Sequence, residues 1–367
     1  MNRFLILFLV TFLFIVSCTQ QEATSEAEFL DIKTLDVSNA IGGYNKYHYI
    51  EDPDLLYAYN QLSSVLDVFE WKEGKYLGTI PLPDIPEAFG FAWSEFFPIA
   101  EDSLLFVDYF GKILLTNAES ELLLAFSLND YLPNGYEFFF GNNTQNLIYK
   151  NGRLVFRIQR TNFSPNKQGY YEGEIFGCLN LNALDKARLL GEYPENYEIK
   201  NNKFFFNNTK LGFDFGLDSE EEVLISFRND HAIQLVIATR RKWYEGKSQF
   251  LKNPTQLDIN QEISSIEWMV KEGFYHDIFT DPYRKVIYRI CVFPQDLNDL
   301  DGKRRSAATR PFSIQKFNKD FKLLAETSFN TSVLEYSFLS RVVTRDGLYL
   351  GVLDSPEDEL VFRKVIF

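Results

Sequence analysis

The sequence predicts an all-β chain closed into a six-bladed β-propeller, with seven blades as the alternative count. Three observations carry that expectation. Short apolar runs recur at a nearly regular spacing along most of the chain. Phe (36) and Tyr (20) are abundant, and aromatic and β-branched residues suit the pleated, half-buried surface of a strand. A strand-like segment also precedes the first repeat, while the last repeat is one strand short.

The repeat is clearest where two segments align without a gap. One is YHYIEDPDLLYAY, from Tyr47, and the other is FFPIAEDSLLFVDY, from Phe96. Ile50 matches Ile99, and Leu55-Leu56-Tyr57 matches Leu104-Leu105-Phe106. Both continue into further apolar runs, at 77–82 and 123–128. Each unit therefore offers about four short strands, the content of a propeller blade. The same core returns as Leu154-Val155-Phe156 after the turn Asn151-Gly152, and as Ile225-Ser226-Phe227. It returns again as Val286-Ile287-Tyr288 after Asp281-Pro282, and as Leu348-Tyr349-Leu350 after Asp346-Gly347.

Anchors at 55, 104, 154, 225, 286 and 348 are spaced by 49, 50, 71, 61 and 62 residues. Propeller repeats run to roughly 40–50 residues, so the longer units need insertions. The polar loop 162–169 and the charged segments 240–260 and 294–311 supply them. After Leu348 there is room for one more strand, at 360–366. The segment 29–37 alternates like a strand and is expected to complete that last blade. Closing the ring removes a sheet edge that would otherwise invite association. Helical signal is thin. Of its two candidates, 180–190 and 262–271, the first reads better as a strand pair around Asp185-Lys186.

The amino terminus, MNRFLILFLVTFLFIVSC, has Arg3 ahead of an apolar run at 4–16. That run is too short to span a bilayer, which takes roughly 20 residues. Its charged start and small residue before Cys18 fit an export signal. Ile15-Val16-Ser17-Cys18 resembles a bacterial lipobox, which implies cleavage before Cys18 and lipid on its sulfur. Thr19, in place of Asp, implies residence at the outer membrane, facing the periplasm or the cell surface. The polar stretch 20–28, with Glu22, Glu26 and Glu28, reads as a flexible spacer. The expected organisation is a signal peptide at 1–17, a lipidated Cys and spacer at 18–27, and one propeller domain at 28–367.

Formal net charge is −14, and losing Arg3 with the signal takes it to −15. Such acidity excludes nucleic acid as a partner, because phosphates reward Lys and Arg. Cys178 and Cys291 fall in different repeats and are expected as buried free thiols rather than a disulfide. His48, His231 and His276 are far apart in sequence, which leaves no metal-ligand motif. No cofactor is expected.

Taken together, the lipobox at Cys18, the acidic spacer, and blade segments such as DPDLLYAY and DPYRKVIYRI resemble a known group. The chain is similar to Bacteroidetes-type lipoproteins that carry a TolB-like six-bladed propeller of unknown function. The resemblance implies a fold and an envelope location. It carries over no catalytic residue.

The search for chemistry is mostly negative. The sequence contains no GxSxG elbow, no HExxH and no Gly-rich phosphate loop. The segment 296–302 approaches a calcium loop, but its spacing puts Leu297 and Ala308 where ligands belong. One constellation stands out: Phe156-Arg157, Phe227-Arg228 and Tyr288-Arg289 end three successive anchors, where the other repeats have Ala58, Val107 and Gly351. Arginine on an apolar strand is costly unless paired or wet. Arg157, Arg228 and Arg289 are therefore expected to line one side of an axial cavity and bind a carboxylate or phosphate, or else to pair with acids of a neighbouring blade or sit on a wet face. The function expected is an envelope binding or scaffold module for a protein, peptide or glycan. The alternative is a hydrolase or lyase that uses the axial face on an anionic substrate.

Overall fold

The computed structural model describes residues 28–38, 43–60, 62–82, 93–100, 102–140, 146–164, 167–195, 197, 211–219, 221–251, 254, 267, 270–299, 301–305, 310–329, 336–353 and 355–367. The signal 1–17 and the lipidation site with its spacer, 18–27, lie outside the described residues.

The chain begins with β1 (Glu28–Asp36) and then lays down five sheets in sequence. Blade 1 is β2 (Tyr44–Ile50), β3 (Leu55–Asn60), β4 (Val65–Glu70) and β5 (Lys75–Pro81). Blade 2 is β6 (Trp93–Ala100), β7 (Ser103–Asp108), β8 (Lys112–Asn117) and β9 (Leu122–Ser127). In blade 3, β10 (Tyr136–Phe138) and β11 (Leu147–Lys150) pair with opposite halves of β12 (Arg153–Arg160), which continues to β13 (Phe176–Asn180) and β14 (Arg188–Leu190). Blade 4 is β15 (Leu211–Phe215), β16 (Glu222–Phe227), β17 (Ala232–Ile237) and β18 (Arg240–Glu245). Blade 5 is β19 (Phe274–Asp281), β20 (Val286–Val292), β21 (Phe312–Asn318) and β22 (Leu323–Phe329). The sixth sheet runs β23 (Tyr336–Val343), β24 (Leu348–Val352), β25 (Glu359–Ile366), and then β1 from the other end of the chain.

All pairings are antiparallel, and the sheets number six, not seven. Tight hairpins explain how little chain each blade needs. At Asn151-Gly152 both residues have positive φ, 47° and 81°, the backbone of a two-residue turn whose twist suits a hairpin. Segment 180–190 resolves into the end of β13, a turn and β14, as its sequence suggests. Segment 262–271 lies mostly outside the described residues; Glu267, Val270 and Lys271 are helical.

The core sits between blades, not inside them. Leu55 and Leu66 of blade 1 pack with Phe96 and Leu104 of blade 2. Leu105 and Ile113 of blade 2 pack with Leu154 and Phe156 of blade 3. Val155 and Phe176 meet Phe213 and Phe227 at the next seam, and Leu224 and Leu235 meet Ile287 and Phe317 at the one after. Tyr288 and Ile314 meet Leu348 and Val365, and Val342 and Phe362 return to Leu56 and Phe69 of blade 1. Six apolar seams thus close a circle. Outermost strands are the exposed ones: β5 alternates between half-buried and exposed, and β9 and β18 are largely exposed.

The ring is sealed by β1, which pairs with β25 from Glu28↔Ile366 to Asp36↔Glu359. Leu35 and Val37 are buried at the seam with blade 1, beside Trp71. Cys178 and Cys291 are free and buried, in blades 3 and 5.

Candidate functional site

The innermost strands are largely apolar, yet each blade brings polar side chains to the axis. Lys46 and His48 come from β2, Glu95 from β6, Asn146 from the residue before β11, Asp214 from β15, Asp277 from β19 and Arg341 from β23. Glu95 Oε1 accepts from the Asn146 backbone N–H (3.1 Å) and from Asn146 Nδ2 (3.3 Å), with Lys46 Nζ 4.0 Å away. Asp214 Oδ2 accepts from the Thr280 N–H (2.7 Å) and hydroxyl (3.0 Å). Arg341 donates to Asp277 in an ion pair between blades 6 and 5. At Gly212 an added Cβ would stand 2.6 Å from Asp277 Cα, so glycine is what lets β15 approach β19 so closely.

Electrostatics confirm the convergence. Glu95 and Asp277 belong to blades 2 and 5, opposite one another in a six-membered ring, and Asp277 still raises the pKa of Glu95. Burial is the main cause that lifts Glu95, Asp214 and Asp277 above the usual carboxylate range. Lys46 opposes the shift at Glu95, and Arg341 opposes it at Asp277. Burial lowers Lys46. His48 is pushed down to about 3, first by burial and then by Lys46 and Arg341. It stays neutral, edge-on to Phe96 and Phe97. The result is a girdle of three carboxyls and two cations whose carboxyls are biased toward holding a proton. Among the described residues, no group of three or more His, Cys, Asp or Glu side chains is arranged to hold a metal ion.

The three arginines of the sequence reading are all buried, at 1%, 4% and 0% exposure for Arg157, Arg228 and Arg289. They are divided between two seams. Arg157 lies between blades 3 and 4, under the ring of Phe139 (4.6 Å) and near Tyr170, Tyr193 and Tyr197. Arg228 and Arg289 lie between blades 4 and 5. Arg228 stacks on Phe274 at 3.4 Å, and Arg310 approaches the same ring at 5.0 Å. Burial lowers both Arg228 and Arg310 to about 9. Arg289 stacks on Tyr275 at 3.4 Å and caps the turn after β16. It donates to the carbonyls of Phe227, Asp230, His231, Ala232 and Gly246 and to Ser226 Oγ. Arg289 is a clamp between two blades.

Register explains the division. Arg157 is the fifth residue of β12, Arg289 the fourth of β20, and Arg228 follows the last residue of β16. Side chains alternate faces along a strand, so a one-position difference sends Arg289 to the opposite side of its blade.

A second feature lies at the end of the ring that carries the turns between second and third strands. Leu353 of blade 6, Leu62 of blade 1 and Tyr109-Phe110 of blade 2 are exposed there, with Leu62 at 69% and Phe110 at 65%. Tyr109 meets Phe140, next to β10 of blade 3, with ring centroids 4.4 Å apart. Apolar side chains thus occupy an arc over four successive blades.

The axial cluster was missed from sequence, although a signal existed. Glu95 stands before Phe96-Phe97, Asp214 between Phe213 and Phe215, and Asp277 before Ile278-Phe279. A single acid within an apolar strand is as improbable as the arginines that were singled out.

No family model matches the chain, and no curated protein matches it. Solved structures do resemble it. One is a member of the DUF4221 family from Bacteroides vulgatus, with TM-score 0.75 and 18% identity, covering 93% of this chain and 98% of that one. Another, from Bacteroides fragilis, is named as an exported protein, with TM-score 0.50 and 11% identity, covering 95% and 98%. At such identities the likeness shows the fold alone.

Proposed function

We propose that this chain is an exported, lipid-anchored envelope protein, a propeller of the TolB-like type that binds a protein, peptide or glycan partner without turnover. The arc of exposed apolar side chains carries the binding reading. Large exposed apolar side chains gathered at one end of a fold mark a recognition surface, and aromatic residues are enriched where partners dock. The lipobox-like Ile15-Val16-Ser17-Cys18 supports anchoring. A fold neighbour named as exported is consistent with an envelope location.

Photo-crosslinking residues placed at Leu62, Phe110 and Leu353 in living cells test the reading, with the exposed outer-strand residue Leu323 as control. Discrete adducts at the three arc positions are expected, those at Leu62 and Leu353 being lost on Phe110→Asp. Arc positions as silent as Leu323 would refute it. The hydrolase or lyase reading draws on one observation, the raised pKa values of the axial carboxyls. It requires a substrate whose turnover disappears in Glu95→Gln while the fold survives.

A further inference from the structure

Two of the buried arginines named above, Arg289 and Arg310, are capped by backbone carbonyls. Arg289 has five carbonyls and a hydroxyl. Arg310 has the carbonyls of Phe293 and Glu272, and Arg341 has Asp277. Arg157 departs from this pattern. It is 1% exposed, and Nε and Nη1 have no hydrogen-bond partner among the described residues. Burial acts most on its charge, and the polar groups that act on it are the phenols of Tyr193, Tyr170 and Tyr197. Burial raises all three phenols, so they stay neutral and none supplies a negative charge. The nearby acid Glu137 is engaged by Gln159 Nε2 at 2.6 Å. Tyr170 makes only a long 3.5 Å bond, to Gln159 Oε1, so its hydroxyl has little to hold it elsewhere.

A buried cation is stable only with a counter-charge or a full set of acceptors. We propose that Arg157, with the hydroxyls of Tyr170 and Tyr193, forms a site for a small monovalent anion, of halide or carboxylate size, in the seam between blades 3 and 4. The site is enclosed by aromatic side chains, with Phe139 over the guanidinium and Tyr193 stacked on Tyr197 at 5.2 Å. That enclosure limits the ligand to a few atoms and strengthens its attraction to the arginine. The proposal goes beyond the partner-binding reading and holds whether or not the arc docks a partner.

The test is a melting-temperature titration of the full domain with sodium bromide and with sodium acetate. It is run on the wild type, Arg157→Gln, Tyr170→Phe and Tyr193→Phe. The wild type should show a saturable rise, and Arg157→Gln should show none. Each phenylalanine variant should weaken the apparent affinity by about tenfold, as loss of a hydrogen bond to a charged group does. Bromide and acetate arms distinguish a halide site from a carboxylate site. Should Arg157→Gln fail to fold, the phenylalanine variants and a wild-type crystal grown in bromide still decide. An anomalous peak at Arg157 Nε or Nη1, together with the saturable shift, supports the site. A non-saturating shift shared by all variants, or a crystal peak without a solution shift, overturns it.

Discussion

At the scale of single residues, burial and partners decide what a charged side chain does, and residue type alone does not. Arg289 supplies both a plane for Tyr275 and donors for five carbonyls of the adjoining blade. Arg289→Ala should therefore cost about 3–5 kcal/mol, because it leaves several buried acceptors unmade at once. Denaturant unfolding measures this, and a loss below about 1 kcal/mol, the level of a surface substitution, would contradict the clamp. His48 gives a prediction in pH. Its folded pKa is depressed to about 3, below the unfolded value of about 6.5. The stability it contributes is complete above that unfolded value. It is lost as pH falls from there toward 3, at about 1.4 kcal/mol per pH unit. The acids Glu95, Asp214 and Asp277 shift the other way, favouring the fold as they protonate, so only a difference isolates the histidine. His48→Gln should flatten the acid limb of the unfolding midpoint relative to wild type. Parallel limbs from pH 6.5 down to 4 would show that His48 is not the group responsible.

At the scale of elements, the sequence pattern located the blades better than it located the faces of their strands. Anchors at 55, 286 and 348 coincide with the first residues of β3, β20 and β24. Those at 104 and 154 fall one residue late, and the one at 225 falls three late in β16. Turns between first and second strands differ in length from blade to blade, so apolar runs mark a strand without fixing its start. That offset is harmless for counting blades. For a side chain it is decisive, since one step along a strand changes the face. The arginines were thus legible as unusual, while their burial in two separate seams was not. Closure by the first strand was legible, because a strand missing at one end matched a spare strand at the other. Deleting 28–37 while keeping Cys18 should expose the edge of β25 and remove Leu35 and Val37 from their seam. Two buried apolar side chains at about 1.5–3 kcal/mol each, with the ladder bonds besides, make the loss several kcal/mol. Light scattering and the melting temperature report it. An unchanged melting temperature and a monomeric variant would mean that β1 does not seal the ring.

At the scale of the whole molecule, the proposed attachment and the proposed recognition fall on different parts of the ring. β1 is the outermost strand of blade 6, so the spacer expected from the sequence would join the ring at its rim. The axial girdle and the apolar arc are built from other strands and turns, so a tether at the rim would not cover the exposed arc. No helix among the described residues is long and apolar enough to cross a membrane, and the anchor proposed above is lipid on Cys18. Each buried methylene of an acyl chain contributes about 0.8 kcal/mol, and stable attachment takes more than one chain. Cys18→Ala should consequently remove incorporation of labelled fatty acid and shift the protein from the membrane fraction to the soluble fraction, or leave it as the uncleaved precursor. The propeller itself should be unaffected, since among the described residues its seams use none before Leu35. Cleaved wild-type and mutant domains should therefore melt together. Label that persists on Cys18→Ala, or a mutant that is cleaved and still sediments fully with membranes, would show that the anchor lies elsewhere.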